Sequence, residues 1–350
     1  MKRIAVVGGG IFGTTAALYA ARAGHTVHLF EKRPSLLREA SGINQYRLHR
    51  GYHYPRSTDT ALSALQAESS FRAEYSPAVI DGGLHLYAIA RERSLVSGKE
   101  FLDFCDKHNL SYREVDPGVL INKDMVECVI EGEEAWYDPH MLRHLVKSKL
   151  YEAEVTVHYN TKVTLAELDQ FDAVVVSTYA RHNQHIPDHL PRCAHQYEVC
   201  EKPVVTMPTW FGNTGIVVLD GPFMCIDPLG REGTYVLGNV VHAIHTTNTG
   251  LAPEISAQLM PYVHQGLIKA PEVTRFKEFI ADGTPFIPPL AEARHVGSMY
   301  TIRTVLPNLE ATDARLTEVR RLDDRLISIF SGKVGNCVEA ARQVVTLLGQ

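Results

Sequence analysis

Gly8, Gly10 and Gly13, near the start of the chain, stand at G-x-G-x-x-G spacing. That spacing suits the phosphates of a dinucleotide. The first glycine permits a tight turn, the second lets the backbone approach a pyrophosphate, and the third lets a helix pack closely on a strand. The elements such a turn needs stand around it. "RIAVVG" is a short β-branched run with the pattern of a buried strand. "TTAALYAARAG" reads as a helix rich in small residues, with Gly24 as its stop. The helix start at Ile11 and Phe12 offers free N–H groups and the positive end of the dipole to phosphate oxygens. "HTVHLFEK" is a second strand ending at Glu31, where a carboxylate can bind ribose hydroxyls. Glu31 disfavours a 2′-phosphate, while Lys32 and Arg33 leave NADP open as a minor option. Strand, glycines, helix, strand and acid, in that order, predict a dinucleotide-binding unit.

A second stretch carries reactive side chains. Residues 41–57, "SGINQYRLHRGYHYPRS", hold two histidines, three tyrosines and three arginines around two glycines. This is too aromatic for a plain solvent loop. Tyr52 and Tyr54 read as core packing, and Arg47, Arg50 and Arg56 as surface charges.

The rest of the chain must position these groups. At 350 residues it is large for one core, so two lobes are expected. The net charge of −5, without a basic block, argues against nucleic-acid binding. The six cysteines form no C-x-x-C pair and no zinc spacing, so reduced thiols and no metal site are expected. The first residues could pass for a signal peptide, but the glycine spacing and the strand that follows argue otherwise. No stretch approaches about 18 uninterrupted apolar residues, so no membrane span is expected and the cytoplasm is the default location.

Along the chain, helices are predicted over 57–75, over 96–108, behind the turn at Asp138-Pro139 and over 252–267. Strands are predicted from Gly82, around Val163 and over Ala173–Val176, which ends in Ser177-Thr178. Residues 196–245 read as antiparallel sheet with a hairpin turn at 229–233, and Phe223, Tyr235, His242 and His245 are candidates to face a substrate. The chain closes with a strand, a Gly-rich turn at 332–335 and a helix.

"SGINQYRLHRGYHY" resembles a segment of the D-amino-acid oxidase/glycine oxidase superfamily of FAD-dependent oxidoreductases. Within it, the match is to L-2-hydroxyglutarate dehydrogenase-like flavoenzymes, where the segment runs S-G-x-N-S-G-x-x-H-x-G-x-Y-Y. Ser41, Gly42, Asn44, His49, Gly51 and Tyr54 match; Gln45, Tyr46 and His53 depart from the pattern. The resemblance implies that Ser41, Asn44 and Gln45 touch FAD and that His49 lies by the flavin ring, near the reacting carbon. It implies a backbone contact from Val163 to the adenine and a place for Thr178 beside the phosphates, although the turn here lacks the usual glycine. Gly332, Lys333, Val334 and Gly335 would lie at the flavin pyrimidine edge, where Lys333 and the helix dipole would stabilise negative charge. "MYTIRTVLPNLEATDARLTEV" is similar to G-x-R-P…T-x-D, whose arginine binds a substrate carboxylate. Arg303 matches it, with Thr312-Asp313 behind and Thr304 in place of the proline. A guanidinium suits a carboxylate because its fork is bidentate.

The implied fold is two-lobed α/β. A discontinuous Rossmann-like FAD-binding domain would comprise 1–80, 140–190 and 290–350, and an antiparallel-sheet substrate domain 81–139 and 191–289. The implied activity is oxidation of a C–N or C–O bond of a small carboxylate-bearing substrate, an amine or amino acid or a 2-hydroxy acid, by hydride transfer to flavin N5. The alternatives are a FAD enzyme acting on a larger sugar or secondary-metabolite intermediate, an NAD(P)-dependent dehydrogenase, and a non-catalytic dinucleotide-binding regulator. The electron acceptor stays open.

Overall fold

A computed structural model describes residues 1–307 and 317–349. The expected Thr312-Asp313 pair lies outside the described residues.

The N-terminal βαβ unit forms as its sequence requires. Strand Arg3–Val7 leads into helix Ile11–Arg22, and strand Thr26–Phe30 returns parallel to the first. The helix stops beside Gly24, whose φ of +86° is the left-handed geometry that favours glycine. These strands sit inside a six-stranded sheet. Its order is Glu318–Arg321, Leu326–Phe330, Ala173–Val176, Arg3–Val7, Thr26–Phe30, Thr156–His158. All its pairings are parallel except that of the first strand. Near-continuous apolar runs such as Ala173–Val176 suit a parallel sheet buried on both faces. Helix Ile11–Arg22 packs against Cys337–Gly349, so the two chain ends share one core.

A larger, nine-stranded sheet forms the second layer. Near one end of it runs strand His195–Thr206. One edge pairs with Ile244–Gly250 and then Thr234–Asn239; the other pairs along its length with Arg294–Val305. The sheet is mixed, because Thr214–Leu219 runs parallel to Leu84–Ala90. Strand Arg294–Val305 belongs here, although the expected domain division placed it with the dinucleotide-binding part. A three-stranded sheet of Arg47–Leu48, Ala135–Tyr137 and Val79–Ile80 adjoins both.

Two local expectations are corrected. Residues 252–267 are turns, not a helix. Pro253 and Pro261 lack the N–H a helix needs, and the His264 and Ile268 N–H groups bond Tyr300 O and Ser298 O on the neighbouring strand. The strand expected around Val163 is Thr156–His158, and Val163 lies in the loop after it. Among the described residues, no helix is long and apolar enough to cross a membrane.

Gly13 shows how tight the first unit is. A Cβ there would stand 2.0 Å from Gly8 O and 3.3 Å from Ser177 Cβ. Gly13→Ala is therefore expected to destabilise by about 1–3 kcal/mol through overpacking. Thermal unfolding checks this; an unchanged midpoint would show that the turn relaxes freely.

Candidate active site

A cavity of about 750 Å³ is lined by both large sheets and the loops between them. At one end stand Gly8, Gly9, Gly10, Ile11 and Phe12. Gly8 has φ +110°, and a Cβ on it would meet Ser177 O at 2.3 Å, so only a bare backbone passes here. Gly10 caps the helix without a side chain, and Ser41 Oγ reaches across from residue 41 to accept the Ile11 N–H at 3.0 Å. Glu31 is buried and accepts the Gly9 and Arg33 N–H groups, each at 2.7 Å. Burial raises its pKa against the pull of those bonds. Lys32 pairs with Glu39 at 2.7 Å. Val163 and Thr178 line the same end, and Thr178 Oγ1 is buried without a partner among the described residues. Bare backbone, a helix start, a ribose-suited carboxylate and an unmet hydroxyl together fit a dinucleotide.

Other expected residues are placed as follows. Asn44 lines the cavity, but its amide organises its own loop: Nδ2 donates to Ala40 O, and Oδ1 accepts from Tyr46 N and the Tyr137 hydroxyl. Gly332, Lys333 and Val334 line the cavity, with Lys333 Nζ 4.6 Å from the centre of the Tyr54 ring. Gly13 and Gly335 serve packing instead, Gly335 against Leu48 and Ala67. Phe223 lines the cavity. Tyr235 donates its hydroxyl to Gly212 O, and His245 bonds buried Glu201 at 2.9 Å, so both are tied elsewhere.

His49 lies at the other end of the lining, its ring 5.3 Å from that of His53. Its Nδ1 is 3.7 Å from Glu134 Oε1. Burial pushes its pKa below the ordinary histidine value, partly offset by Glu134, so the imidazole is neutral at pH 7.

Behind His49 is a buried charge cluster that the sequence did not announce. Arg47 is no surface residue: its side chain is 1% exposed, and its ion-pair partners Glu134 and Asp227 are 0% exposed. Arg47 Nη1 donates to Glu134 Oε2 and to the Tyr87 hydroxyl, each at 3.0 Å, and Nη2 bonds Asp227. Tyr87 donates to Glu134 at 2.6 Å, and Trp136 Nε1 to Asp227 at 3.0 Å. Burial alone would raise the Glu134 carboxyl, but the His49 ring, then Arg47 and the Tyr87 hydroxyl, hold it well below the usual range. Arg56, also read as a surface charge, pairs with Asp220 in the cavity wall. Arg50 pairs with half-exposed-to-exposed Glu133, in keeping with the surface reading.

Arg303 lines the cavity but is paired with Glu198, its register partner on the neighbouring strand. Lys202, Cys200 and Cys225 also line the cavity, unanticipated because strand alternation alone does not tell which face meets a cavity.

Comparison with known proteins agrees with this layout. The sequence profile of the DAO family, described as FAD dependent oxidoreductase, matches residues 3–298. The chain belongs to the DAO family of FAD-dependent oxidoreductases. Among curated relatives, the FAD-dependent monooxygenase kojA of Aspergillus flavus is 27% identical over 396 positions, covering 99% of this chain and 85% of that protein. The FAD-dependent monooxygenase FPY4 of Fusarium mangiferae is 26% identical, covering 99% and 90%. Among solved structures, glycine oxidase from Geobacillus kaustophilus superposes with a TM-score of 0.70 at 16% identity, covering 100% of this chain and 94% of that one. The FAD-bound L-α-glycerophosphate oxidase of Mycoplasma pneumoniae gives 0.72 at 15% identity, covering 100% and 96%. At such identities the structural likeness shows the fold.

The Arg47 cluster generates a stability test. Arg47→Ala leaves two carboxylates buried without their cation, which costs about 3–5 kcal/mol. Urea unfolding should show a loss of that size. A loss under about 1 kcal/mol would mean that solvent reaches the cluster.

Proposed function

We propose that this chain oxidises a C–N or C–O bond next to a carboxylate in a small substrate. The observation that carries the proposal is one cavity joining the glycine-rich dinucleotide cradle to a buried, neutral imidazole at His49. FAD supplies the two-electron acceptor when bound. In this reading Gly8, Gly10, Ile11, Phe12, Glu31, Ser41, Val163 and Thr178 hold its adenylate and diphosphate. Gly332, Lys333 and Val334 hold its ring end, where Lys333 and the start of the last helix offset negative charge.

For a 2-hydroxy acid, His49 takes the hydroxyl proton, which a neutral imidazole can accept. For an amine, the neutral substrate needs no base, and His49 shapes the site. A second reading has one specific support: kojA and FPY4, which match nearly the whole chain, are both named monooxygenases. In that reading an oxygen atom enters the product. Incorporation of labelled oxygen into product would select it, and hydrogen peroxide release without incorporation would select simple oxidation.

The direct experiment is an absorption spectrum of the purified protein, then anaerobic addition of D-amino acids, N-methyl amino acids and 2-hydroxy acids. The flavin band should bleach with one of these classes. A flavin that none of them bleaches would favour a larger substrate. With a hydroxy acid, His49→Gln should lower kcat about 10²–10⁴-fold; with an amine the loss should be small. Because burial lowers the His49 pKa, kcat/KM for a hydroxy acid should be flat above pH 6.5 and fall only at lower pH, as the imidazole gains its proton. An inflection well above neutrality would remove His49 as the base.

A further inference from the structure

Strand His195–Thr206 places Gln196, Glu198, Cys200 and Lys202, four alternate residues, in the cavity wall. The arginines at this end are each compensated: Arg47 by Asp227 and Glu134, Arg56 by Asp220, Arg303 by Glu198. Lys202 differs. Among the described residues its ammonium has neither a hydrogen bond nor an ion pair, although it is half-buried. Burial pulls its pKa below the ordinary lysine value; the Arg303 charge adds to that pull and Asp227 opposes it.

A second unmet group lines the same cavity. Gln45 donates to Cys225 Sγ and Asp227 Oδ2, each at 3.1 Å, while its Oε1 is buried without a partner among the described residues. Val204 pairs with Val236, so Gly238 falls in the cross-strand row of Lys202. A Cβ on Gly238 would meet Cys225 Sγ at 2.7 Å and Gln45 Cδ at 3.1 Å. The bare glycine thus makes room for Cys225 and Gln45 on this wall.

We propose that Lys202, and not Arg303, anchors the carboxylate of the substrate. This rests on the oxidation of a carboxylate-bearing substrate proposed above. An ammonium without a counter-ion in a cavity wall gains most from an arriving anion, through a charge-assisted bond. At Arg303 an incoming carboxylate would face the carboxylate of Glu198.

The test uses the FAD-loaded protein, titrated with benzoate and with benzamide, its uncharged analogue, while the flavin spectrum is followed. Wild type should bind benzoate at least about 10-fold more tightly than benzamide. Lys202→Met should weaken benzoate on the order of 10–100-fold, the equivalent of one lost charge-assisted bond, and leave benzamide unchanged. Lys202→Arg should keep most of the preference, and Arg303→Met should change it less than about 3-fold, well short of that loss. The melting temperature of Lys202→Met should hold or rise, because an uncompensated charge is removed. Lys202→Gln gives the same readout if the methionine variant folds poorly. The anchor is overturned if Lys202→Met keeps the preference, if Arg303→Met abolishes it, or if wild type shows none. A lowered melting temperature with benzoate binding intact would make Lys202 a counter-charge for Asp227 instead. A flavin that substrate reduces, in a protein whose benzoate affinity ignores Lys202, keeps the function and removes the anchor. A protein that takes up no FAD removes both.

Discussion

The arrangement of the site depends on one buried guanidinium. Arg47 sits in the small three-stranded sheet, and its partner Asp227 lies in the large one. Glu134, just before the small sheet's strand Ala135–Tyr137, closes the cluster and also accepts the Arg50 N–H. The loop carrying His49 is thereby pinned between layers. Burying three charges is favourable only when each is answered, and here Tyr87, Trp136 and Gln45 answer the remaining lone pairs. Cooperativity of that kind fixes geometry more than it adds stability. The proton transfer proposed for His49 would benefit from such fixing, since orientation decides whether an imidazole can act.

The parts of this design that the sequence shows are those governed by local rules. The turn at Gly8–Gly13, the helix behind it and the acid at Glu31 follow from steric and dipole constraints within a few dozen residues, and each lies where its pattern predicts. The closing strand Leu326–Phe330, its turn and the last helix were legible for the same reason. The charge cluster was not. Arg47 meets Glu134 across 87 positions and Asp227 across 180, and no periodicity spans such distances. The surroundings of Arg47 held a hint, because Tyr46 and Leu48 on either side are both buried, but an arginine beside them reads as snorkelling unless its partners are known. Arg303 is the intermediate case: its place in the cavity wall was foreseen through family resemblance, while Glu198, 105 positions away, was not. The segment 252–267 failed for a related reason, since its N–H groups found a sheet edge that local propensity cannot see.

The cavity draws on both sheets in different ways. Its dinucleotide end is mostly backbone, built from glycines, a helix start and turns, which tolerate few side chains. Its other end is mostly side chains on long strands and a braced loop. Similarity to proteins named glycine oxidase, L-α-glycerophosphate oxidase and FAD-dependent monooxygenase is compatible with such a division, since one fold can carry different reactions.

Strand His195–Thr206 shows how that wall can change. Its even-numbered residues from 196 to 202 face the cavity, while Tyr197 and Val199 pack into a separate core and Glu201 is held by His245, Ser298 and Thr274. Exchange of a side chain on the cavity side leaves that core untouched. Insertion or loss of one residue would turn every side chain over, presenting tyrosine and glutamate to the substrate and driving lysine into the core. On its cavity face this strand can change its letters, but not its length.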